Sequence, residues 1–195
     1  MTHLKFDIEF KKEQENLINI FFNNYDFIDV GNARVYHLDY VYDYEIWEKV
    51  LIEVKSIIEK IGFKINLSEF AHTLRFSYIV LNNNEIIKPH RDGNIRHFAS
   101  LNIPLKGKPI IDLYDEDDKI IRVEYNTPIL LNVNKKHGVI NDGNTPRIIL
   151  KVHFFLHSWE KLVESLSTNV NIFDTIPWYG QGKLANILNE SNNIK

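Results

Sequence analysis

The chain has 195 residues, 44% of them hydrophobic, and a formal net charge of −3 at pH 7. This length and apolar content suit one domain with one core better than two domains. Acidic and basic residues are interleaved along the chain, so the charge pattern favours no nucleic-acid partner. The absence of cysteine excludes thiol catalysis, zinc–thiolate sites and disulfide bonds.

Neither a targeting segment nor a membrane span is indicated by the apolar pattern. Residues 1–15 are rich in charge, and nowhere do about 18 apolar residues follow one another. We therefore expect a cytoplasmic protein that is not attached to a membrane.

Hydrophobic periodicity predicts two helices near the start of the chain, roughly Phe6–Phe22 and Tyr44–Ile61. Gly62 is a natural stop for the second helix. The alternating segment between them, Ala33–Tyr42, predicts a strand. We expect residues 1–70 to cover one outer face of a sheet, where they are available for substrate selection or for a homodimer interface.

From about Thr73 onwards, apolar and polar residues alternate, and turn residues such as those at 92–94 separate the runs. The pattern predicts eight short strands: Leu74–Leu81, Glu85–Pro89, Phe98–Ile103, Ile110–Tyr114, Ile120–Glu124, Ile129–Asn132, Gly138–Asn141 and Arg147–Leu156. Strands that follow one another without helices between them are typical of an antiparallel sandwich or jelly roll.

The fold predicted from these elements is mainly β with flanking helices. Residues 72–157 are expected to form a double-stranded β-helix, a cupin-like jelly roll, with the N-terminal helices packed on one sheet. Residues 158–195 are predicted as a helix over Trp159–Leu166 followed by a tail, whose aromatic segment at 176–179 plugs the core or covers a site. All three parts are expected to belong to one domain, 1–195.

The segment His90-Arg91-Asp92 is a candidate metal-binding pair at the end of a predicted strand. Oxygenases commonly hold divalent iron with two imidazoles and one carboxylate on one face, which leaves other positions open. His137, beside another predicted strand, is the candidate third ligand. Ten residues later, Arg147 is placed to clamp the distal carboxylate of a keto diacid with two hydrogen bonds.

A second His-x-Asp pair, His37-Leu38-Asp39, competes with the first. It precedes a predicted helix, whereas the pair at His90 lies among the sheet strands and is followed by His137 and Arg147. This context favours His90, and the pair at His37 remains the alternative.

A family resemblance rests on five segments: 75–81, 87–92, 101–105, 137–142 and 146–150. Its most specific part is a His-x-Val-x-Asn stretch with an arginine ten residues after the histidine. Over about residues 72–157 the chain resembles the aspartyl/asparaginyl β-hydroxylase-like branch of the Fe(II)/2-oxoglutarate oxygenases, which includes bacterial proline hydroxylases. By this resemblance His90, Asp92 and His137 would ligate Fe(II) at the catalytic centre, and Arg147 would hold the co-substrate 2-oxoglutarate.

Members of the family vary in the residue at the position of Asp92, and many differ from this chain in one strand. Some members have glycine where this chain has Asp92, so the aspartate is similar to the proline-hydroxylase type. Many members also carry an Arg-x-His-x-Pro-Leu strand that helps to bind the co-substrate, and here it begins Ser100-Leu101-Asn102. Ser100 and Asn102 are therefore candidate neutral co-substrate ligands, with Arg96 and Arg75 as candidate sources of the missing charge.

The resemblance implies a dioxygenase that uses dioxygen to hydroxylate an unactivated C–H bond. An amino acid, a peptide or protein side chain, or a small metabolite would be its substrate. Two alternatives from other classes remain open: a cupin-like metal-binding protein or isomerase that needs no keto acid, and a metal-free sandwich that acts as an interaction module.

Other polar residues are predicted to be structural. Asn141 is expected to fix the turn in which it lies, and His153 is expected to pack or to lie on the surface. The acidic run at 115–118 lacks the glycine and the spaced ligands of a calcium loop, so it is predicted to be a solvated hairpin tip.

Overall fold

Ten strands and three helices make up the described part of the computed structural model, which comprises residues 2–25, 34–38, 42–63, 74–92, 97–155 and 159–168. The helices are α1 (Lys11–Asn24), α2 (Tyr44–Ile61) and α3 (Trp159–Thr168). The strands are β1 (His3–Lys5), β2 (Arg34–Leu38), β3 (Leu74–Leu81), β4 (Ile86–His90), β5 (His97–Lys106), β6 (Ile110–Tyr114), β7 (Ile120–Glu124), β8 (Ile129–Asn132), β9 (His137–Ile140) and β10 (Arg147–Phe155).

The strands form two antiparallel sheets. The larger sheet has the order β1-β8-β5-β10-β3-β2, and the smaller sheet has the order β4-β9-β6-β7. From β3 to β10 each successive strand passes to the opposite sheet, except that β6 and β7 form a hairpin within the smaller one. This alternation is the topology of a jelly roll, and it confirms the predicted double-stranded β-helix.

The two faces of the larger sheet have different roles. On β10 the even-numbered residues, such as Leu150 and Val152, are buried in one cluster with residues of α1 and α2, among them Leu17 and Trp47. Because side chains alternate along a strand, the odd-numbered residues face the other way, between the two sheets. The N-terminal helices therefore cover the outer face of the larger sheet, as predicted, and leave its inner face for a site.

A second apolar cluster fills the space between the sheets. Its members come from β6, β7 and β8 and the segments beside them, namely Ile111, Leu113, Val123, Tyr125, Ile129, Leu131 and Val133, with Val139 of β9 packed against them. The interior of the barrel is thus largely apolar. A polar side chain that faces it is therefore a candidate functional residue.

The ends of several elements differ from those predicted by the sequence pattern. The first helix begins at Lys11 rather than Phe6. Residues 3–5 pair with β8, and the N–H of Phe6 continues this pairing by donating to the carbonyl oxygen of Pro128 at 3.0 Å. In contrast, α2 has its predicted bounds, and Gly62 ends it with a φ of 103°. The aromatic segment at 176–179 lies outside the described residues. Of the helices in the described ranges, none is both long and apolar enough to cross a bilayer.

Asn141 joins two turns at one end of the barrel. Its side chain is fully buried, and its Nδ2 donates to the carbonyl oxygens of Leu81 and Asn82 at 2.9 Å each and of Thr145 at 3.1 Å. Its Oδ1 accepts a hydrogen bond from the N–H of Gly143 at 3.2 Å. The predicted role of Asn141 in fixing its turn is confirmed.

We expect Asn141→Ala to lower the free energy of unfolding by about 3 kcal/mol, because buried carbonyl groups lose their partners. Urea denaturation of the two proteins measures this difference. Asn144→Ala, three residues further along the chain and exposed, is the matched control and should change stability by less than roughly 0.5 kcal/mol. Equal stability of the two variants would show that the Asn141 network contributes little.

Candidate metal centre

The structure brings His90, Asp92 and His137 together where β4 and β9 lie side by side. His90 pairs with His137 in the sheet register, and their ring centroids are 4.5 Å apart. One potential ligand atom from each of the three residues lies within 4.8 Å of the others. Three residues predicted from sequence to share a cation are therefore neighbours in the fold.

The spacing of the three ligand atoms suits a single cation. Oδ1 of Asp92 is 3.3 Å from Nε2 of His90 and 3.9 Å from Nε2 of His137. Adjacent ligands of an octahedral ion, each about 2.1 Å from it, lie about 3 Å apart. Small side-chain rotations are enough to close the difference, and three ligands on one face leave the remaining positions open.

Both imidazoles are oriented by carbonyl groups two residues earlier in the chain. Nδ1 of His90 lies 2.8 Å from the carbonyl oxygen of Lys88, and Nδ1 of His137 lies 3.0 Å from that of Lys135. Because a carbonyl oxygen can only accept, each Nδ1 carries a proton, and in the neutral form of each ring the lone pair therefore lies on Nε2. Metal-binding histidines are commonly fixed in this way.

Burial lowers the pKa of His137 below the usual value of 6.5, and the positive charge of Lys151 acts in the same direction. The hydrogen bond to Lys135 and the charge of Asp92 oppose the shift without cancelling it. His137 is therefore neutral at neutral pH, which is the form that binds a metal ion.

The metal-free protein is expected to lose stability as the pH falls below 6.5. In the unfolded chain His137 takes up a proton at its usual pKa, whereas the folded protein binds it only at a lower pH. The stabilisation is thus complete above 6.5 and is lost as the pH falls from there through the folded-state pKa. Urea unfolding in EDTA across this range measures the effect, and His137→Gln should flatten it. Parallel curves for the two proteins would contradict the expectation.

Asp92 is held from two sides. Its backbone N–H donates to the carbonyl oxygen of Val133 at 3.1 Å, and its Oδ2 accepts a hydrogen bond from Nζ of Lys151 at 2.8 Å. The Lys151 and Asp92 side chains are only 11% and 16% exposed. Sequence reasoning missed Lys151, although one signal was present: it is a lone charge inside the apolar run 148–152 of β10.

Arg147, the first residue of β10, lies inside the barrel and is 2% exposed. Its Nη2 donates to the Tyr125 hydroxyl at 2.9 Å, and its Nη1 donates to the carbonyl oxygen of Ile110 at 3.1 Å. Its Nε is buried and has no hydrogen-bond partner. Within the described ranges no acidic side chain pairs with this guanidinium.

Arg147 and the three candidate ligands face the same interior of the barrel, at different positions along the strands. Arg147 and Lys151 lie on one face of β10, four residues and about 13 Å apart. Ile110, which accepts from Arg147, is three residues from Leu113, the register partner of His137, and that separation is about 10 Å. A small elongated anion that lies along the strands has the length to contact both the Arg147 guanidinium and a cation held by the three candidate ligands.

The candidate co-substrate residues of β5 lie next to Lys151. Asn102 pairs with Lys151 across the sheet, and both Asn102 and Ser100 are buried. The Ser100 hydroxyl donates to Oδ1 of Asn102 at 3.5 Å. The two neutral residues of β5, which stand where the family pattern has basic ones, are therefore flanked by an ammonium group on the neighbouring strand.

The structure does not bring Arg75 to Arg147. Arg75 is exposed near the start of β3 and pairs with His153, six residues along β10 from Arg147 and thus about 20 Å away. The two arginines therefore do not hold the same carboxylate. Arg96, the other candidate for the missing charge, lies outside the described residues.

The alternative ligand His37 has a different environment. It lies on β2, where its Nδ1 is 2.9 Å from the hydroxyl oxygen of Ser77, and the same oxygen is 3.0 Å from Nε2 of His153. Asp39, the other half of the alternative pair, lies outside the described residues. His37 and His153 thus share a serine partner and are not members of the three-residue cluster found in the described ranges.

No protein-family model and no curated protein sequence matches the chain. Among solved structures, the viral collagen prolyl hydroxylase of Paramecium bursaria Chlorella virus-1, determined as a 2OG complex, is 14% identical with a TM-score of 0.52, over 81% of this chain and 97% of that one. A Pseudomonas putida prolyl-4-hydroxylase is 10% identical with a TM-score of 0.49, over 80% and 92% of the two chains. A Bacillus subtilis oxalate decarboxylase is 12% identical with a TM-score of 0.44, over 77% and 36%.

The likeness to the viral hydroxylase shows that the two chains share a fold. It agrees with the jelly-roll topology read from the strand order. It does not extend to the branch of the family, so membership of the aspartyl/asparaginyl β-hydroxylase-like branch stays a prediction.

Proposed function

We propose that the chain is an Fe(II)- and 2-oxoglutarate-dependent dioxygenase that hydroxylates an unactivated C–H bond. The observation that carries the proposal is the buried Arg147 guanidinium, with a free Nε and no acidic partner in the described ranges, in the same barrel as the His–Asp–His cluster. A metal centre and a cation for a keto diacid are the two elements that this chemistry requires.

His90, Asp92 and His137 would hold the iron. Two neutral imidazoles and one carboxylate are a ligand set that suits Fe(II) and leaves positions for co-substrate and dioxygen. The bound iron and keto acid would supply the oxidising chemistry. The chain contributes the ligand orientation, through the Lys88 and Lys135 carbonyl groups.

Arg147 would bind the distal carboxylate of 2-oxoglutarate. A buried cation without a counter-charge is unfavourable, and a carboxylate compensates it through charge-assisted hydrogen bonds. The Tyr125 hydroxyl accepts from Arg147 and still has its own proton to donate to the same carboxylate. Along β6, the residue beside Arg147 (Ile110) and the residue beside His137 (Leu113) are about 10 Å apart, a span that a five-carbon diacid with contacts at both ends covers.

The apolar surroundings and the exposure of the ligands indicate how a substrate would approach. The apolar residues around the site, including Leu113 and Leu131, limit the access of water. The His90 side chain is 40% exposed, whereas that of His137 is 6% exposed. An amino acid, a peptide or protein side chain, or a small metabolite would therefore reach the metal from the side of His90.

The alternatives explain less of the site. A cupin-like metal protein or isomerase would use the three ligands but needs no unpaired arginine in the barrel. A metal-free interaction module needs neither feature.

A screen for succinate formation tests the proposal. The protein is supplied with Fe(II), ascorbate and 2-oxoglutarate, and amino acids and short peptides are added in turn. We expect substrate-stimulated succinate release that is lost in His90→Ala. A chain that binds no metal and forms no succinate with any addition would refute the proposal.

A further inference from the structure

Because of the ion pair between Lys151 and Asp92, the two carboxylate oxygens of Asp92 have different partners. Oδ2 is held by Nζ of Lys151 at 2.8 Å, while Oδ1 is the oxygen 3.3 Å from Nε2 of His90 and 3.9 Å from Nε2 of His137. One oxygen therefore faces the two imidazoles, and the other is engaged by an ammonium group on a strand of the opposite sheet.

We propose that Lys151 is a positioning residue that keeps Asp92 a one-oxygen ligand and so reserves a coordination position on the metal. This inference rests on the proposed function, because it assumes that the three-residue cluster holds a cation. A carboxylate that is free to rotate can offer both oxygens to one metal ion. The second oxygen would then take one of the positions that the co-substrate and dioxygen need.

The position of Lys151 in the sheet supports a fixed role. Its neighbours in register are Ser77 on β3 and Asn102 on β5, so the residue lies in the interior of the larger sheet rather than at an edge. With 11% of its side chain exposed, its ammonium group has little water to replace Asp92 as a partner. A buried ion pair of this kind is held firmly, because separating it leaves an unpaired charge.

Lys151→Met tests the inference through the water bound to Mn(II), without any measurement of turnover. Three protein ligand atoms on a six-coordinate ion leave about three waters, and a two-oxygen Asp92 leaves about two. We expect the water-proton relaxation caused by bound Mn(II) to fall by about a third in Lys151→Met, with Mn(II) affinity equal or higher because a nearby cation is gone. Lys106→Met, on exposed Lys106 of β5, is the matched control and should resemble the wild type.

Chemical rescue separates the ammonium group from the packing of the side chain. In Lys151→Ala, added propylammonium should restore the wild-type relaxation, whereas propanol should not. Unchanged relaxation in Lys151→Met, loss of its Mn(II) binding, or equal rescue by propanol would each overturn the inference and leave the proposed function standing. Failure of the wild type itself to bind Mn(II) would instead refute the proposed function, and with it the inference.

Discussion

Arg147→Met is expected to raise the Kd for 2-oxoglutarate by about 100-fold or more and to leave Mn(II) binding unchanged. Two charge-assisted hydrogen bonds to a buried carboxylate together contribute about 3 kcal/mol, and each 1.4 kcal/mol corresponds to about a factor of ten. Anaerobic calorimetric titration of the Mn(II)-loaded protein with 2-oxoglutarate measures the change.

The same substitution should not weaken the fold. Methionine fills much of the space of arginine. Removing a buried charge that has no acidic partner in the described ranges offsets the loss of the hydrogen bonds to the Tyr125 hydroxyl and the Ile110 carbonyl group, so the melting temperature of the ligand-free protein should change little. This result would distinguish a ligand-binding arginine from one that is needed for structure.

Two other arginines provide controls for this experiment. Arg122→Met removes an arginine whose side chain is 55% exposed and pairs with Asp112, and it should leave the Kd within about twofold. Arg75→Met should do the same, because Arg75 lies about 20 Å along the sheet from Arg147. An unchanged Kd in Arg147→Met, or a large effect in Arg75→Met, would show that the carboxylate binds elsewhere.

The second large effect is expected from His137→Ala, which should weaken Fe(II) or Mn(II) binding on the order of a thousandfold. Loss of an outer-shell partner of a metal ligand already weakens affinity about 10- to 100-fold, and loss of the ligand itself removes a metal–nitrogen bond as well. Anaerobic Mn(II) titration followed by electron paramagnetic resonance measures the free and bound ion.

His37→Ala is the matched control for His137→Ala, and it also tests the alternative pair. Its ring contacts the Ser77 hydroxyl rather than the candidate ligands, so Mn(II) affinity should be unchanged. If His37→Ala abolished metal binding while His137→Ala did not, the choice between the two His-x-Asp pairs would be reversed.

Local sequence patterns were enough to predict the jelly roll and two of the three candidate ligands. The His90-x-Asp92 pair is local in sequence, and His90 is the last residue of β4, so two ligands are placed by neighbouring residues alone. His137 required one long-range inference, which the pairing of β4 with β9 supports. Alternation of apolar residues and the turn residues between runs defined the strands well, because both depend on nearest neighbours in the chain.

Features that depend on strand register could not be predicted. Lys151 and Asp92 are 59 residues apart in the sequence. They form an ion pair only because β10 lies opposite the segment that follows β4. The hydrogen bond from Arg147 to Tyr125 likewise depends on which positions along the strands of the two sheets lie opposite one another. The short strand β1 is a third case, because its three residues become a strand only by pairing with β8.

A crystal structure grown without oxygen in the presence of Mn(II) and 2-oxoglutarate tests the central claim most directly. We predict one Mn(II) at about 2.0–2.3 Å from Nε2 of His90, Nε2 of His137 and Oδ1 of Asp92. The distal carboxylate of 2-oxoglutarate should lie against the Arg147 guanidinium, within hydrogen-bond distance of its Nε. A metal bound elsewhere, or a keto acid whose carboxylate does not contact Arg147, would contradict the account.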